Sequence, residues 1–236
     1  MKKCFVLAGL CIFLVPVTSA TIILSSGSLP QNQGWDSHSD GVSSVTADAT
    51  AIRINTCYPD NAGGTSPVLL FYRTIGDSSL TKFTLEISMK VNESNYNNYD
   101  GGVALLGSYS GNFGLPDERS QMIIFGEDRI RWGEPSNEYF IDTTDEYHTY
   151  VLDVDLATST ANFYVDGVLA LTRSDYFSNG VIAFGDESND GALNMEGSGS
   201  VNGDFSVAYI DLVVPEPCTL VLFGLGGYIL ARKRIY

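Results

Sequence analysis

Among the residues that could do chemistry, the carboxylates come first. Retaining hydrolysis of a glycosidic bond needs a nucleophilic carboxyl and an acid/base carboxyl about 5 Å apart. Asp153 and Asp155 share one face of any strand that carries them, because side chains alternate with a period of two. They alternate, however, with Leu152, Val154 and Leu156, so the spacing describes a solvated outer face above a buried inner one. A hydrolase would have to gather its carboxylates from separate strands. The two histidines, His38 and His148, lie in no His-x-x-x-His or Cys-x-x-Cys context, which leaves zinc without a visible site. His148 has the parity of Tyr150, which predicts a packed, hydrogen-bonded role. Between residues 21 and 214 there is no Gly-x-Ser-x-Gly elbow and no phosphate-cradling glycine loop. Nucleophilic hydrolysis and nucleotide binding therefore lack support.

Two loops carry binding chemistry. Asp186-Glu187-Ser188-Asn189-Asp190-Gly191 imitates the start of a calcium loop, with oxygens at alternate positions and glycine at the sixth. The twelfth position, where a bidentate glutamate belongs, is Gly197. The stretch reads as a polar loop in which Asp186 and Asp190 are the candidates to hold a structural Ca²⁺; no other cofactor is expected. Tyr96, Tyr99 and the polar stretch from Asn92 to Asp100, with Tyr58 and Trp35, supply rings and amides of the kind that stack on and hydrogen-bond to sugars.

The elements that must position these residues are strands. From Leu80 to Val91, Phe83, Leu85, Ile87, Met89 and Val91 alternate with Lys82, Thr84, Glu86, Ser88 and Lys90, which predicts one buried and one wet face. Further strands are expected at Ile22–Leu24, Val42–Ala47, Ala51–Asn55, Val68–Arg73, Val103–Tyr109, Gln121–Phe125, Arg129–Trp132, Tyr139–Ile141, Val181–Phe184 and Phe205–Val213. Tyr147 to Thr172 reads as consecutive hairpins. Tyr150, Leu152, Val154 and Leu156 point inward, Ala157 to Thr160 turn, Ala161 to Val165 return, and Asp166-Gly167 forms a two-residue turn that needs positive φ before Val168 to Leu171. A dozen short strands without helices to cover a parallel sheet argue for an antiparallel sandwich.

At Tyr147-His148-Thr149-Tyr150-Val151-Leu152 and Phe163-Tyr164-Val165-Asp166-Gly167-Val168 the chain resembles the concanavalin A-like, laminin-G-like jelly-roll domains. The resemblance implies a jelly-roll β-sandwich and, in many members, binding of carbohydrate or protein. Laminarinase-type glycosidases of this fold carry Glu-x-Asp-x-x-Glu on one strand, and no such triplet occurs here.

Both ends of the chain differ from the middle. Met1-Lys2-Lys3 followed by the apolar Phe5 to Val17 and the small residues Thr18-Ser19-Ala20 reads as a secretory signal cleaved before Thr21. At the other end Pro215-Glu216-Pro217 removes backbone donors and fixes φ, so the chain is expected to leave its folded domain at Pro215. Cys218 to Ala231 is free of charge, and as a helix its length of roughly 21 Å falls short of the ~30 Å hydrocarbon core. Arg232-Lys233-Arg234 then forms a basic stop that the positive-inside bias keeps cytoplasmic. The expected division is 1–20 signal peptide, 21–212 β-sandwich and 213–236 C-terminal signal. Between the two signals the chain holds 8 basic and 27 acidic residues, a formal charge of −19, which argues against nucleic acid and anionic membrane surfaces as partners. Cys57 is then the single cysteine of the middle segment, and no disulfide is expected there.

From Val214 to Arg234 the order of motif, short apolar helix and basic end resembles the PEP-CTERM sorting signal of exported bacterial proteins. The resemblance implies that Pro215, Glu216 and Pro217 are recognised by an exosortase after export by the Sec machinery. Cys218 departs from the Ala, Ser or Thr more usual in that family. The expectation is an all-β protein, an antiparallel jelly-roll sandwich (concanavalin A-like) flanked by an N-terminal signal helix and a short C-terminal hydrophobic helix. It is held by the membrane until processed, then sorted to the cell envelope or an extracellular polysaccharide matrix. The sandwich is expected to be a non-catalytic binding or structural module, with carbohydrate a candidate ligand. The alternative is a glycan-active enzyme, hydrolase or lyase, on the same fold.

Overall fold

In a computed structural model the residues described are 18–40, 44–55, 68–76, 80–94, 103–106, 122–133, 137–186 and 203–215. Among them lie fifteen strands, numbered in chain order, and one short 3-10 turn at Pro30–Gln33. An eight-stranded sheet is built from β1 (Thr18–Ser25), β3 (Ser44–Ala47), β4 (Ile52–Asn55), β6 (Lys82–Ser94), β11 (His148–Asp155), β12 (Thr160–Val165), β13 (Val168–Arg173) and β15 (Gly203–Pro215). Its order is β13-β12-β11-β6-β15-β4-β3, with β1 paired to β15. A seven-stranded sheet contains β2 (Asp36–Asp40), β5 (Val68–Thr74), β7 (Val103–Leu106), β8 (Met122–Phe125), β9 (Arg129–Trp132), β10 (Glu138–Phe140) and β14 (Val181–Asp186), in the order β10-β9-β8-β7-β14-β5-β2. The ladders with a defined register are antiparallel.

The strict alternation of β6 and β11 does what its period dictates. Phe83, Leu85, Ile87, Met89 and Val91 are at most 2% exposed, as are Tyr150, Leu152 and Val154, and the ladder sets Leu152 beside Leu85 and Val154 beside Phe83. The seven-stranded sheet closes over this layer through Phe125, whose ring meets Tyr150 at 4.9 Å and Phe163 at 6.0 Å, both edge-on. Offset and edge contacts of this kind add roughly 0.5–1.5 kcal/mol beyond burial. The turn between β12 and β13 is the expected one, with Asp166 at φ 49° and Gly167 at φ 79°.

One strand was not expected, and the bounds of two others are corrected. β2, Asp-Ser-His-Ser-Asp, pairs with β5 although its pattern is wholly polar. β1 begins at Thr18 where a strand was expected from Ile22, and β15 runs through Pro215 where the strand was expected to end at Val213. A proline at the last position of a strand removes no interior ladder donor, so the ladder tolerates it there. The compact body comprises Ala20–Val213. The signal helix, the C-terminal hydrophobic helix, Glu216, Pro217, Arg232, Lys233 and Arg234 lie outside the described residues, among which no helix is long and apolar enough to cross a membrane.

Candidate functional site

The solvent side of the eight-stranded sheet concentrates polar chemistry where β11, β6 and β15 run side by side. Register places Val151 beside Glu86 and Glu86 beside Asp211, and in the next row Thr149 beside Ser88 and Ser88 beside Tyr209. Directly opposed residues in an antiparallel pair hold their Cβ atoms about 4.5–5.5 Å apart. Glu86 and Asp211 are therefore like charges on adjacent strands.

Their environments differ. Tyr209 donates its hydroxyl to Glu86 Oε1 at 2.8 Å, so Glu86 has a fixed donor. Asp211 has none for Oδ1, which is buried without a hydrogen-bond partner among the described residues. Burial first, and then the charge of Glu86, push the Asp211 carboxyl above the usual range. The hydrogen bond to Glu86, followed by burial, raises the Tyr209 phenol, and the Thr149 side chain opposes this. A readily protonated acid, a carboxylate with a held donor and several hydroxyls share one face. Such a surface can both donate to and accept from a polyhydroxylated ligand.

A break in the β15 ladder creates this arrangement. Val207 is fully buried and Ile210 is 1% exposed, an odd spacing that strict alternation forbids. The register shifts between Val207 and Tyr209, and the bulge turns Tyr209 to the outer face opposite Ser88. Reading Phe205–Val213 with an unbroken period of two would have sent Tyr209 and Asp211 inward with Val207. The apolar Ile210 after Tyr209 was the available signal. Bulges commonly re-aim side chains in this way.

The residues singled out from sequence fall as follows. Asp153 accepts from the Thr84 hydroxyl at 2.9 Å and Asp155 pairs with Lys82 at 2.8 Å, so both belong to the outer face, as their spacing predicted. His148 is 5% exposed and hydrogen-bonded, the expected packed role, whereas His38 lies on the exposed β2. Trp35 is a correction: it is 3% exposed, donates Nε1–H to the Ile23 carbonyl at 2.8 Å and stands edge-on to Phe184 at 4.8 Å. A ring so enclosed cannot stack on a sugar. Asn92 belongs to β6 and donates to Ser206 Oγ at 3.1 Å. Tyr58, Tyr96, Tyr99 and residues 187–191 lie outside the described residues, and Asp186 is described only as the last residue of β14. No group of three or more His, Cys, Asp or Glu side chains able to hold a metal occurs among the described residues.

The seven-stranded sheet presents the opposite chemistry on its outer face. Leu70, Ala183, Met122 and Ile124 form a buried cluster there, with Tyr72 and Val181 packed against it. Their strand neighbours Phe71, Phe184, Ile123 and Phe125 point to the other side.

No family model matches the chain, and no curated protein does. Solved structures do. A sialidase is 13% identical over 84% of this chain, with a TM-score of 0.59, and the match spans only 18% of the sialidase. An endo-1,3-beta-glucanase from Streptomyces sioyaensis is 16% identical over 73% of this chain and 79% of its own, at a TM-score of 0.45. The exoplasmic/lumenal domain of VIP36 in its Ca²⁺/Man-bound form is 11% identical over 82% of this chain and 88% of its own, at 0.49. The chain thus has an antiparallel jelly-roll β-sandwich fold that it shares with one segment of a sialidase.

Proposed function

We propose that this is an exported protein whose sandwich binds polysaccharide without cleaving it, through the outer face of the eight-stranded sheet. The observation that carries the reading is the Tyr209–Glu86–Asp211 constellation, in which a phenol, the carboxylate it donates to and a second carboxyl on the adjacent strand stand beside Thr149 and Ser88 on the solvent side. Sugar hydroxyls need donors and acceptors in close alternation, and a phenol supplies a ring edge as well as a proton. A jelly-roll fold shared with part of a sialidase supports the reading at the level of fold only. The C-terminal tail adds its address: Pro215, Glu216 and Pro217 are the motif an exosortase reads, and Arg232, Lys233 and Arg234 the cytoplasmic stop. Sorting then delivers the sandwich to the envelope or its polysaccharide matrix.

The test has two arms. On a glycan array and in affinity electrophoresis through soluble polysaccharides, the protein is expected to be retained, and Tyr209→Ala with Glu86→Gln to weaken retention at least roughly tenfold, the equivalent of about 1.4 kcal/mol. Binding to nothing would overturn the carbohydrate reading. Intact mass from membrane and extracellular fractions, with and without the exosortase, tests the address. A full tail in both backgrounds would leave a plain membrane-anchored sandwich.

The opposition of Glu86 and Asp211 favours a second reading, a glycan-active enzyme whose acid is Asp211 and whose partner carboxylate is Glu86. Such chemistry requires an acid and a partner carboxylate on neighbouring positions. Product release from a polysaccharide panel, abolished in Glu86→Gln while binding persists, would establish it over the first.

A further inference from the structure

His148 opens β11 with its ring turned inward. Nδ1 lies 2.7 Å from Asp166 Oδ2, and Nε2 lies 2.9 Å from the Asp142 carbonyl oxygen and 3.0 Å from Asp145 Oδ1. Every one of these partners is an acceptor. A neutral imidazole has one N–H and one lone pair, so either tautomer would aim a lone pair at a carboxylate or carbonyl oxygen within hydrogen-bond distance. The imidazolium alone satisfies both nitrogens.

We propose that His148 is a protonated pin that fastens the crossover Ile141–Tyr147 to the Asp166-Gly167 turn, and that alkaline pH releases both by removing its proton. The inference stands independently of what the outer face binds. The crossover joins β10 of one sheet to β11 of the other, so the pin sits where the chain passes between layers.

Charged and titratable groups face the ring from each packed element. Asp145 comes from the crossover, where the Asp142 carboxylate is instead engaged by the Thr144 amide and hydroxyl at 2.9 and 2.7 Å. Asp166 comes from the turn and also accepts from the Thr149 amide at 2.9 Å. From β6, Lys90 donates to the Asp145 carbonyl at 3.2 Å, and within β11 the Tyr150 ring lies 6.0 Å away. Burial disfavours the charged ring, but the hydrogen bonds to Asp166, Asp145 and the Asp142 carbonyl outweigh it, and the proton is held above the ordinary histidine range. The side chains of Asp145 and Asp166 are 55% and 50% exposed, so water reaches the pin. A histidine whose folded proton affinity is raised contributes fully below its unfolded value of about 6.5, and that contribution is lost as pH climbs through the folded value.

The release is local. Thr143 stays fixed, its hydroxyl donating to the Gly126 carbonyl at 2.6 Å, its amide to Glu127 at 2.9 Å, and its carbonyl accepting from Val91 at 3.1 Å. Motion is confined to Thr144–Tyr147 and the turn.

Nitrogen NMR of the histidine rings in the intact chain, assigned with His38→Gln, tests the pin. Both His148 nitrogens should be protonated at pH 7, and hydrogen exchange at the Thr149 amide, corrected for its intrinsic pH dependence, should rise at least roughly tenfold across the titration. Exchange at Thr143 should stay level, and His148→Gln should remove the pH dependence at Thr149. A neutral, singly protonated ring at pH 7, or Thr149 exchange indifferent to the titration, overturns the proposal. The ring measurement decides even if the variant fails to fold.

Discussion

The two sheets turn opposite chemistry outward. On the eight-stranded sheet the outer face carries Thr84, Glu86, Ser88, Thr149, Asp153, Tyr209 and Asp211, with ion pairs and hydroxyl contacts at the surface. On the seven-stranded sheet the outer face carries Leu70, Met122, Ile124 and Ala183, all buried. One sheet therefore has a single core side and a wet side available to ligands, whereas the other is buried on both faces around β5, β8 and β14. The difference is written in the strands: β6 and β11 alternate, while Met122-Ile123-Ile124-Phe125 and Val181-Ile182-Ala183-Phe184 are apolar without a break. Continuous apolar runs mark strands covered on both faces.

The sharpest way to break the doubly buried middle of that sheet is Gly185→Ala. Gly185 sits in β14 at φ 139°, and a Cβ there would meet the Leu69 carbonyl oxygen at 2.2 Å and Leu70 Cα at 2.9 Å. Both obstacles are backbone of the paired strand β5, so neither can step aside. The expected outcome is a loss on the order of 4 kcal/mol or more, the range reserved for strained or overpacked sites, or no soluble protein. Urea unfolding measures it, and a loss under about 1 kcal/mol would show that β14 and β5 are not locked there.

A matched pair sharpens the contrast. Leu70→Ala removes a side chain with no exposed surface and should cost about 2–5 kcal/mol through lost burial and the cavity left behind. Thr84→Ala, on the outer face of the other sheet, deletes a hydroxyl contact to the exposed Asp153 and should change stability by no more than about 0.5 kcal/mol. Equal effects in urea denaturation would mean that the two outer faces do not differ as described.

Much of this contrast was legible beforehand, and what was not has physical causes. Alternation in β6 and β11, the Asp166-Gly167 turn and the inward parity of His148 all follow from a period of two and from which residues tolerate positive φ. β2 was missed because the side chains from Asp36 to Ser39 are exposed; its strand is held by backbone bonds to β5, which leave no pattern. Trp35 was assigned to a sugar site because a ring between polar residues looks available, and only the tertiary partners Ile23 and Phe184 reveal that it is buried. Tyr209 and Asp211 were hidden by the bulge, which reverses parity within one strand, and the opposition of Asp211 to Glu86 depends on strands separated by more than a hundred residues.

That opposition yields the smallest expected effect and the most informative sign. Like charges directly across a ladder are destabilising by roughly 0.2–1 kcal/mol, so Asp211→Asn should stabilise the protein by that amount at neutral pH. Because the folded state holds the Asp211 proton more tightly than the unfolded chain, with its ordinary value of 3.8, the site's contribution falls as pH rises through the folded value and is most favourable on the acid side. The asparagine variant removes this dependence, so its advantage over the parent should be present at pH 7 and vanish toward pH 4. Thermal unfolding at both pH values reads the difference directly. An advantage that persists unchanged into acid would assign the gain to packing or hydrogen bonding of the amide, and the carboxylate pair would lose its claim to organise the outer face.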